Sequence, residues 1–214
     1  MILRICVVNG KGGCGKSTVA THLAAALSAS GLSTLLVDLD RHRGATRWHK
    51  LRPKSAARIA LTDWKKDFGE IPDGVRRVVI DCPASLRGAK VREIAAESDV
   101  LVVPLLPSVF DQQSTRVFLE RVAKIKKVRK GRKPLMIVAN RHRERALASR
   151  QLEEFLETLG YAPTARIADR SVYPQLAAQG LTVFDGSSKT MRGYQEEWMP
   201  LIEEIEEAGR AAAA

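Results

Sequence analysis

Residues 10–18 read Gly-Lys-Gly-Gly-Cys-Gly-Lys-Ser-Thr, and they form the most informative motif of the chain. It matches G-x-x-x-x-G-K-[ST], the pattern of a loop that surrounds a chain of phosphates. Gly12, Gly13 and Gly15 permit backbone angles that a Cβ would forbid, so successive N–H groups of the loop, that of Cys14 among them, can turn toward an anion. The stretch therefore predicts a binding site for a di- or triphosphate.

The end of this loop carries the side chains that suit a nucleotide. Lys16 would neutralise β- and γ-phosphate oxygens, and the hydroxyl of Ser17 would bind Mg²⁺. A helix begins here, at about Thr18, and the positive end of its dipole points at the same charge. The apolar run Ile2–Val8 precedes the loop and the helical segment Val19–Leu27 follows it. This order of strand, loop and helix predicts a P-loop nucleoside triphosphatase.

Apolar runs alternate with helical segments along the rest of the chain. Strands are predicted at 33–40, 76–84, 100–104, 135–140 and 164–167. Helices are predicted at 45–51, 89–97, 114–130, 146–159, 171–179 and 193–208. Strands that are apolar throughout are typical of a parallel sheet covered on both faces. We therefore predict an α/β fold with a single doubly wound, mostly parallel sheet and helices on both faces, in one domain of residues 1–214.

Acidic residues lie at the ends of two predicted strands, where a parallel sheet opens toward its ligand. Asp81 follows an apolar run and has the position of a Walker B carboxylate, which holds Mg²⁺ through a water. Asp38 and Asp40 end the strand that comes before it in the chain. The candidate magnesium ligands are Ser17, Asp40 and Asp81.

A second lysine, Lys11, lies inside the loop, so that residues 11–17 read K-G-G-x-G-K-S. This motif resembles the deviant Walker A motif of the ParA/MinD family of ATPases, in particular the small ParA-type (ParF-like) partition ATPases. The resemblance implies that ATP and Mg²⁺ are the cofactors and that Lys11 reaches the nucleotide of a second subunit in an ATP-dependent homodimer. It also implies that Asp40 orients the attacking water and that Asn140 contacts adenine. The candidate catalytic residues are thus Lys11, Lys16 and Asp40.

The chain departs from the family pattern directly after Asp40. The family usually continues D-P-Q, whereas Asp40 is followed by Arg41, His42 and Arg43. Loss of the rigid proline and of the amide predicts a different switch loop and an altered hydrolysis rate. The resemblance implies a slow ATPase that a ParB-type or adaptor partner protein stimulates. It also implies a function in partition or positioning of a plasmid, a chromosome region or a protein complex.

The positive charge of the chain is concentrated in one segment. The net charge is +11, and residues 116–150 contain thirteen Lys or Arg against two Glu, so the remaining residues sum to zero. A localised basic surface is typical of a protein that binds a polyanion. The alternatives are a solvated helix face and, for the arginines near the ligand crevice, a subunit contact. The candidate contacts to DNA phosphates, independent of base sequence, are Lys127, Arg129, Lys130, Arg141, Arg143 and Arg145.

The sequence predicts a cytoplasmic, nucleoid-associated protein that does not bind membrane. Met1 leads directly into the first strand, and no apolar run approaches the roughly 20 residues that span a bilayer. The last predicted helix is rich in glutamate, which anionic lipid would repel. The alternative classes are a membrane-associated regulator of the MinD type, an iron–sulfur reductase, and a small-molecule kinase or ligase of the same ATPase class.

The cysteines and one tryptophan complete the candidate residues. Cys6, Cys14 and Cys82 show no metal-ligand spacing, and their odd number argues against a disulfide framework. Cys14 lies at a helix N-terminus beside lysines, a setting that lowers the pKa of a thiol, which gives the hypothesis of a reactive thiol. Trp48 is interpreted as a core residue, with a partner contact as the alternative.

Overall fold

The strands of a computed structural model form one sheet. The structure describes residues 1–64, 69–84, 89–108 and 111–212, without the side chains of Lys90, Val91, Lys127 and Arg129. The strands are β1 (Leu3–Val7), β2 (Thr34–Asp38), β3 (Ala60–Thr62), β4 (Arg77–Asp81), β5 (Val100–Leu105), β6 (Leu135–His142) and β7 (Ala165–Ala168). Within the described ranges the seven-stranded order is β3-β2-β4-β1-β5-β6-β7, and each neighbouring pair is parallel.

Helices connect these strands and follow the last of them. They are α1 (Lys16–Ala29), α2 (Gly44–Leu51), α3 (Ala89–Glu97), α4 (Gln112–Ala123), α5 (Lys126–Arg129), α6 (Leu147–Thr158), α7 (Val172–Ala177), α8 (Lys189–Glu196) and α9 (Met199–Ala211). A 3₁₀ turn, Val183–Asp185, lies between α7 and α8. Strands β2, β3 and β4 lie on one side of β1, and the chain then crosses to β5 on the other side of β1. The strand order therefore reverses beside β1. Ligands of open α/β sheets bind at such a reversal.

Alternate residues of the strands pack on opposite faces of the sheet, because side chains of a strand point to the two faces in turn. Leu3 and Ile5 lie in one buried cluster with residues of α1, α2, α7 and α9. Cys6 and Val8 lie in a second cluster with residues of α3, α4 and α6. The prediction of a doubly wound sheet with helices on both faces is confirmed, and the described strands are parallel without exception.

Helix α1, which directly follows the loop, is deeply packed against the sheet. Ten of its residues are buried, and small side chains such as Ala20, Ala24 and Ala25 let its backbone lie close to the sheet. Close packing of this kind fixes the position of a helix. The N-terminus of α1 is therefore held rigidly at the carboxyl end of β1, where residues 10–15 turn.

The structure corrects two predicted helices. The predicted helix 114–130 ends at Ala123, because Ile125 is extended (ψ 122°), and a short α5 follows. Ile125 and Val128 still pack against the core, so the apolar stripe is divided between two helices. The predicted helix 193–208 is two helices, and α9 starts afresh with a proline, Pro200, in its first turn. A proline fits this position because its missing N–H would have no partner there.

Strand β3 was not predicted. It has three residues, Ala60–Thr62, which are exposed or half-buried, and it lies at the end of the sheet. So short a run carries no period that would distinguish it from a loop. Ala60 pairs with Leu35 of β2, and this pairing depends on the rest of the sheet, which places β2 beside it.

Candidate functional site

The loop at residues 10–15 connects β1 to α1, as the sequence predicts. Gly13 and Gly15 have positive φ angles of 76° and 93°. The side chain of Asn9 holds the start of the loop, since its Nδ2 donates to the carbonyl oxygen of Pro104 (2.8 Å) and its Oδ1 accepts from the N–H of Lys11 (3.1 Å). Asn9 was not singled out in the sequence, because an asparagine before a glycine is also an ordinary turn residue.

Asn140 lies directly against the loop. Its Nδ2 donates to the carbonyl oxygen of Cys14 (2.9 Å), and its Oδ1 accepts from the N–H of Arg141 (3.0 Å). A Cβ on Gly15 would lie 2.1 Å from this Nδ2, and φ of Gly15 is 93°, so a side chain here would strain the backbone and displace the amide of Asn140. A bulge in β6 with Arg141 at φ 52° directly follows Asn140. The predicted contact of Asn140 with adenine stays a prediction, and its contact with the loop is a finding that the sequence did not reveal.

The two lysines of the loop have different surroundings. Lys16 is buried, and its Nζ donates to the carbonyl oxygen of Lys11 (2.7 Å) and lies 3.8 Å from the Sγ of Cys14. The ammonium of Lys11 instead pairs with the carboxylate of Asp111, directly before α4. Lys16 thus faces the inside of the loop, whereas Lys11 is anchored at its rim. Asp111 was missed because it lies far away in the chain.

Asp81 is a fully buried carboxylate at the end of β4. Among the described residues, neither of its oxygens has a hydrogen-bond partner. Burial raises its pKa to about 7, although the hydroxyl of Ser17, which is near but not in hydrogen-bond geometry, and the ammonium of Lys16 lower it. A buried carboxylate without partners is unfavourable unless a cation compensates it. The arrangement of Asp81 and Ser17 therefore fits Mg²⁺.

A metal held here would need ligands from a nucleotide as well. Within the described part of the chain, no group of three or more His, Cys, Asp or Glu side chains could hold a metal ion. Mg²⁺ commonly binds one or two protein oxygens together with substrate phosphates and waters. The donor set at Ser17 and Asp81 agrees with this form of binding.

The carboxylates of Asp38, which ends β2, and of Asp40 organise the switch loop. Asp38 is buried, and its oxygens accept from the N–H of Asp40 (3.0 Å) and from both the N–H and the hydroxyl of Thr46 (2.8 Å each). Asp38 therefore positions Asp40 and the first turn of α2. Asp40 is half-buried, and its Oδ1 accepts from the N–H of His42 (2.9 Å). Arg43 takes a left-handed conformation (φ 53°) at the start of α2.

A cavity of about 450 Å³ opens beside the loop. It is lined by residues of the first turn of α1, of the end of β6 and of the segment after β7, including Thr18, Asn140, Arg143, Asp169, Tyr173 and Pro174. Arg143 spans two of these segments, since its Nε donates to Oδ2 of Asp169 (2.9 Å). The cavity adjoins Asn140, and it is the candidate pocket for a nucleotide base.

The predicted DNA-contact residues are not all alike in position. Lys130, Arg141, Arg143 and Arg145 are all exposed. Arg141 and Arg143 line a second cavity of about 470 Å³, which also includes Lys11. The side chains of Lys127 and Arg129 lie outside the described residues. Not every cation of the basic segment is free for a polyanion, because Lys133 is buried and donates to the carbonyl oxygens of Ala95 and Ser98.

The hypothesis of a reactive thiol at Cys14 is wrong. The thiol is buried, and this burial raises its pKa above the ordinary value, while Lys16 lowers it less. Its Sγ donates to the carbonyl oxygen of Lys11 (3.4 Å). Trp48, by contrast, is 5% exposed, and its Nε1 donates to the carbonyl oxygen of Leu181 (3.1 Å), so its interpretation as a core residue is confirmed.

The family of the chain follows from its sequence and agrees with this geometry. The family model for the CobQ/CobB/MinD/ParA nucleotide-binding domain matches residues 5–183. The chain belongs to this family, and the resemblance to ParA/MinD proteins is confirmed. None of the described helices is long and apolar enough to cross a bilayer.

Individual proteins of the family are similar over most or much of the chain. The carboxysome distribution maintenance protein A of Halothiobacillus neapolitanus is 29% identical over 187 residues, which cover 84% of this chain and 86% of that protein. The chromosome-partitioning ATPase Soj of Treponema pallidum is 29% identical over 159 residues, which cover 55% of this chain and 62% of Soj. A plasmid partition protein of Borrelia burgdorferi bound to AMPPNP has the same fold, with a TM-score of 0.70 at 18% identity over 95% of this chain and 100% of that chain.

Proposed function

We propose that the chain is a one-domain ATPase that dimerises on ATP, binds DNA without sequence preference and positions or partitions a cargo over the nucleoid. The observation that carries the nucleotide site is the buried carboxylate of Asp81, which has no hydrogen-bond partner among the described residues and lies beside Ser17 and Lys16. Family membership supports nucleotide binding. The names of the relatives concern carboxysome distribution and chromosome partitioning, and both are positioning functions.

Nucleotide binding would use the loop in its present conformation. The ammonium of Lys16 would exchange its bond with the carbonyl oxygen of Lys11 for phosphate oxygens, which are stronger acceptors because they are charged. Ser17 and Asp81 would hold Mg²⁺, which neutralises phosphate charge when bound. Asp40, positioned by Asp38, would orient the attacking water.

Dimerisation would bring Lys11 to the nucleotide of a second subunit. To do so, Lys11 must leave Asp111, with which it is paired here. The freed ammonium would compensate phosphate charge that one subunit cannot compensate alone. A ParB-type or adaptor partner protein would then stimulate hydrolysis through the loop of Asp40, and the monomers would separate.

DNA binding would use phosphate contacts on the basic segment. Lys130 and Arg145 are exposed and line neither cavity, whereas Arg141 and Arg143 line both. A dimer presents two copies of this surface, and linked weak sites bind far more tightly than one. Counterion release makes such binding steeply dependent on salt.

A membrane partner fits the structure less well. The exposed face of α9 carries Glu203, Glu204 and Glu207, which anionic lipid repels. We therefore propose that the protein acts in the cytoplasm on the nucleoid.

The test measures the binding of fluorescein-labelled DNA duplexes of unrelated sequence by anisotropy, with ATP, with ADP and without nucleotide, at two salt concentrations. We expect binding that requires ATP, is indifferent to sequence and weakens with salt. Lys130→Glu/Arg145→Glu should weaken it by about tenfold or more. ATP binding by this variant should be unchanged.

The matched control is Lys54→Glu/Arg58→Glu, which changes the net charge by the same amount at another exposed surface. DNA affinity that ignores nucleotide would contradict the proposed coupling. An equal loss in both variants would show a general charge effect and overturn the assignment of the surface.

A further inference from the structure

A second basic segment lies between Arg41 and Thr62. It contains seven Lys or Arg and no Asp or Glu. The net charge of the remaining residues does not reveal this segment, because the glutamates of the C-terminal helices cancel its positive charge. Unlike residues 116–150, this segment begins at the switch loop and ends at the edge strand β3.

Two of these cations are neutralised within the protein. Arg52 forms a buried pair with Asp185 (Nη2 to Oδ1 2.7 Å), and Arg43 pairs with Asp63 (2.9 Å). The other five have no ion pair with a described residue and are exposed: Arg41, Arg47, Lys50, Lys54 and Arg58. Exposed cations that no acidic side chain compensates create a positive potential, which attracts an anionic ligand.

The segment also encloses a groove of about 600 Å³. We call it the α2–β3 groove, and it is lined by His49, Arg52, Pro53, Lys54, Ala56, Ala57, Arg58, Ile59, Ala60 and Leu61. About half of this lining is apolar, and Lys54 and Arg58 place charge on it. Among the described strands, β3 has a hydrogen-bonded neighbour on one side only, and an edge strand of this kind offers backbone groups to an extended chain.

We propose that the α2–β3 groove docks an acidic, partly apolar peptide segment of the partner protein. A peptide matches all three features, since carboxylates pair with Lys54 and Arg58, apolar side chains fill the groove and a backbone can pair with β3. A DNA duplex matches only the charge, because it offers neither apolar side chains to the lining nor an extended peptide backbone to β3. The inference rests on the proposed function, to which it adds the place and the chemistry of the partner contact.

The groove lies one short helix away from the catalytic switch. Helix α2 has eight residues and is about 12 Å long, and its first turn is bonded to Asp38, which also positions Asp40. The far end of α2 is held by Trp48 on Leu181 and by Arg52 on Asp185. A peptide bound beside this end would contact α2, whose first turn is bonded to Asp38 in the switch loop. Partner binding and hydrolysis would thus be coupled through α2.

The experiment measures, by fluorescence anisotropy, the binding of a labelled octapeptide of alternating Glu and Val to the nucleotide-free full chain. An octapeptide of alternating Lys and Val is the charge control. We expect the acidic peptide to bind at least about tenfold more tightly than the basic one and to lose most of this affinity in Lys54→Glu/Arg58→Glu. The matched control Lys130→Glu/Arg145→Glu should bind it as the unaltered chain does.

Equal binding of both peptides, or an equal loss in both variants, would overturn the proposal. A loss of DNA affinity in Lys54→Glu/Arg58→Glu without a loss of peptide affinity would assign the surface to DNA and also overturn it. Because the peptide assay uses neither ATP nor DNA, its failure is distinct from a failure of ATP-dependent DNA binding. Circular dichroism of each variant verifies that it is folded.

Discussion

The ammonium of Lys11 is paired with the carboxylate of Asp111, although the two residues are 100 positions apart in the chain. The Lys11 side chain is 41% exposed and that of Asp111 only 12%. In the proposed dimer Lys11 must leave this partner to reach phosphates of the second subunit, so the pair opposes dimerisation. We expect Asp111→Asn to raise the dimer fraction in ATP severalfold, as measured by sedimentation velocity.

Two controls define this prediction. Lys11→Ala should bind ATP but form no dimer, and Asp111→Asn/Lys11→Ala should behave as Lys11→Ala does. An unchanged dimer fraction in Asp111→Asn, or dimers that form without ATP, would contradict the competition between Asp111 and phosphate.

Gly15 and Gly13 provide a matched pair for the loop. Both have positive φ, but a Cβ on Gly15 would meet Asn140 at 2.1 Å, whereas one on Gly13 has nothing within 4 Å. We expect Gly15→Ala to lose nucleotide binding and Gly13→Ala to lose about 1 kcal/mol of stability with weaker effects on binding. Titration calorimetry with ATP and thermal unfolding compare them. Equal effects in both variants would refute the role of Asn140.

Asp81 should make the stability dependent on both pH and Mg²⁺. Its pKa is raised to about 7 by burial, so the folded protein holds a proton that the unfolded chain releases between the ordinary value and about 7. The contribution of Asp81 to stability therefore falls as pH rises through this range. Asp81→Asn should stabilise the nucleotide-free protein, by about 2 kcal/mol more at about pH 8 than at about pH 5. It should also abolish the increase in Tm that Mg²⁺ adds to ATP.

The measurement for Asp81 is chemical denaturation at both pH values, followed by thermal unfolding with ATP and with or without Mg²⁺. An undiminished Mg²⁺ effect in Asp81→Asn would remove Asp81 from the magnesium site. A pH-independent stabilisation would show that its carboxylate is not penalised by burial.

The buried position of His22 predicts that the free energy of unfolding decreases in acid. His22 is buried and stacks on Trp198 (4.6 Å between ring centroids), and burial lowers its pKa to about 4. The unfolded chain takes up this proton at higher pH than the folded protein, so stability is lost as pH falls from the ordinary histidine value toward 4. His22→Phe keeps an aromatic ring and should reduce this loss by about 2 kcal/mol. The exposed His42→Gln is the control, and an equal reduction there would contradict the assignment to His22.

The buried ion pair of Arg52 and Asp185 anchors the C-terminal end of α2. Their side chains are only 5% and 7% exposed, and Arg52 also donates to the carbonyl oxygens of Ala57 and Gly180. Arg52→Ala removes the cation from a buried carboxylate, which keeps the N–H and the hydroxyl of Thr182 as donors, and we expect a loss of about 3–5 kcal/mol in the free energy of unfolding. The exposed Arg47→Ala on the same helix should change it by less than about 0.5 kcal/mol. Urea denaturation measures both, and similar values would show that the pair is not buried in solution.

Local patterns were sufficient for the main elements of the fold. The strand, the loop and helix α1 follow from residues 2–27, and the apolar strands predict a parallel sheet, because their residue types alone fix burial on both faces. Breaks inside amphipathic segments were not predictable. The apolar spacing continues through the extended Ile125 and through Pro200, where a new helix begins. The period of the sequence therefore does not reveal these two breaks.

The sequence by itself determined the class of protein and the chemistry of the loop, because Lys16, Ser17 and the glycines act through neighbours a few residues away. Only the tertiary structure decided which distant residues meet them. It places Asp111 on Lys11, Asn140 on Gly15 and Asp81 beside Ser17. It also removes the reactive thiol at Cys14, since burial outweighs the neighbouring lysine. These relationships depend on strand order and on burial, which are properties of the folded sheet and not of any short stretch of the chain.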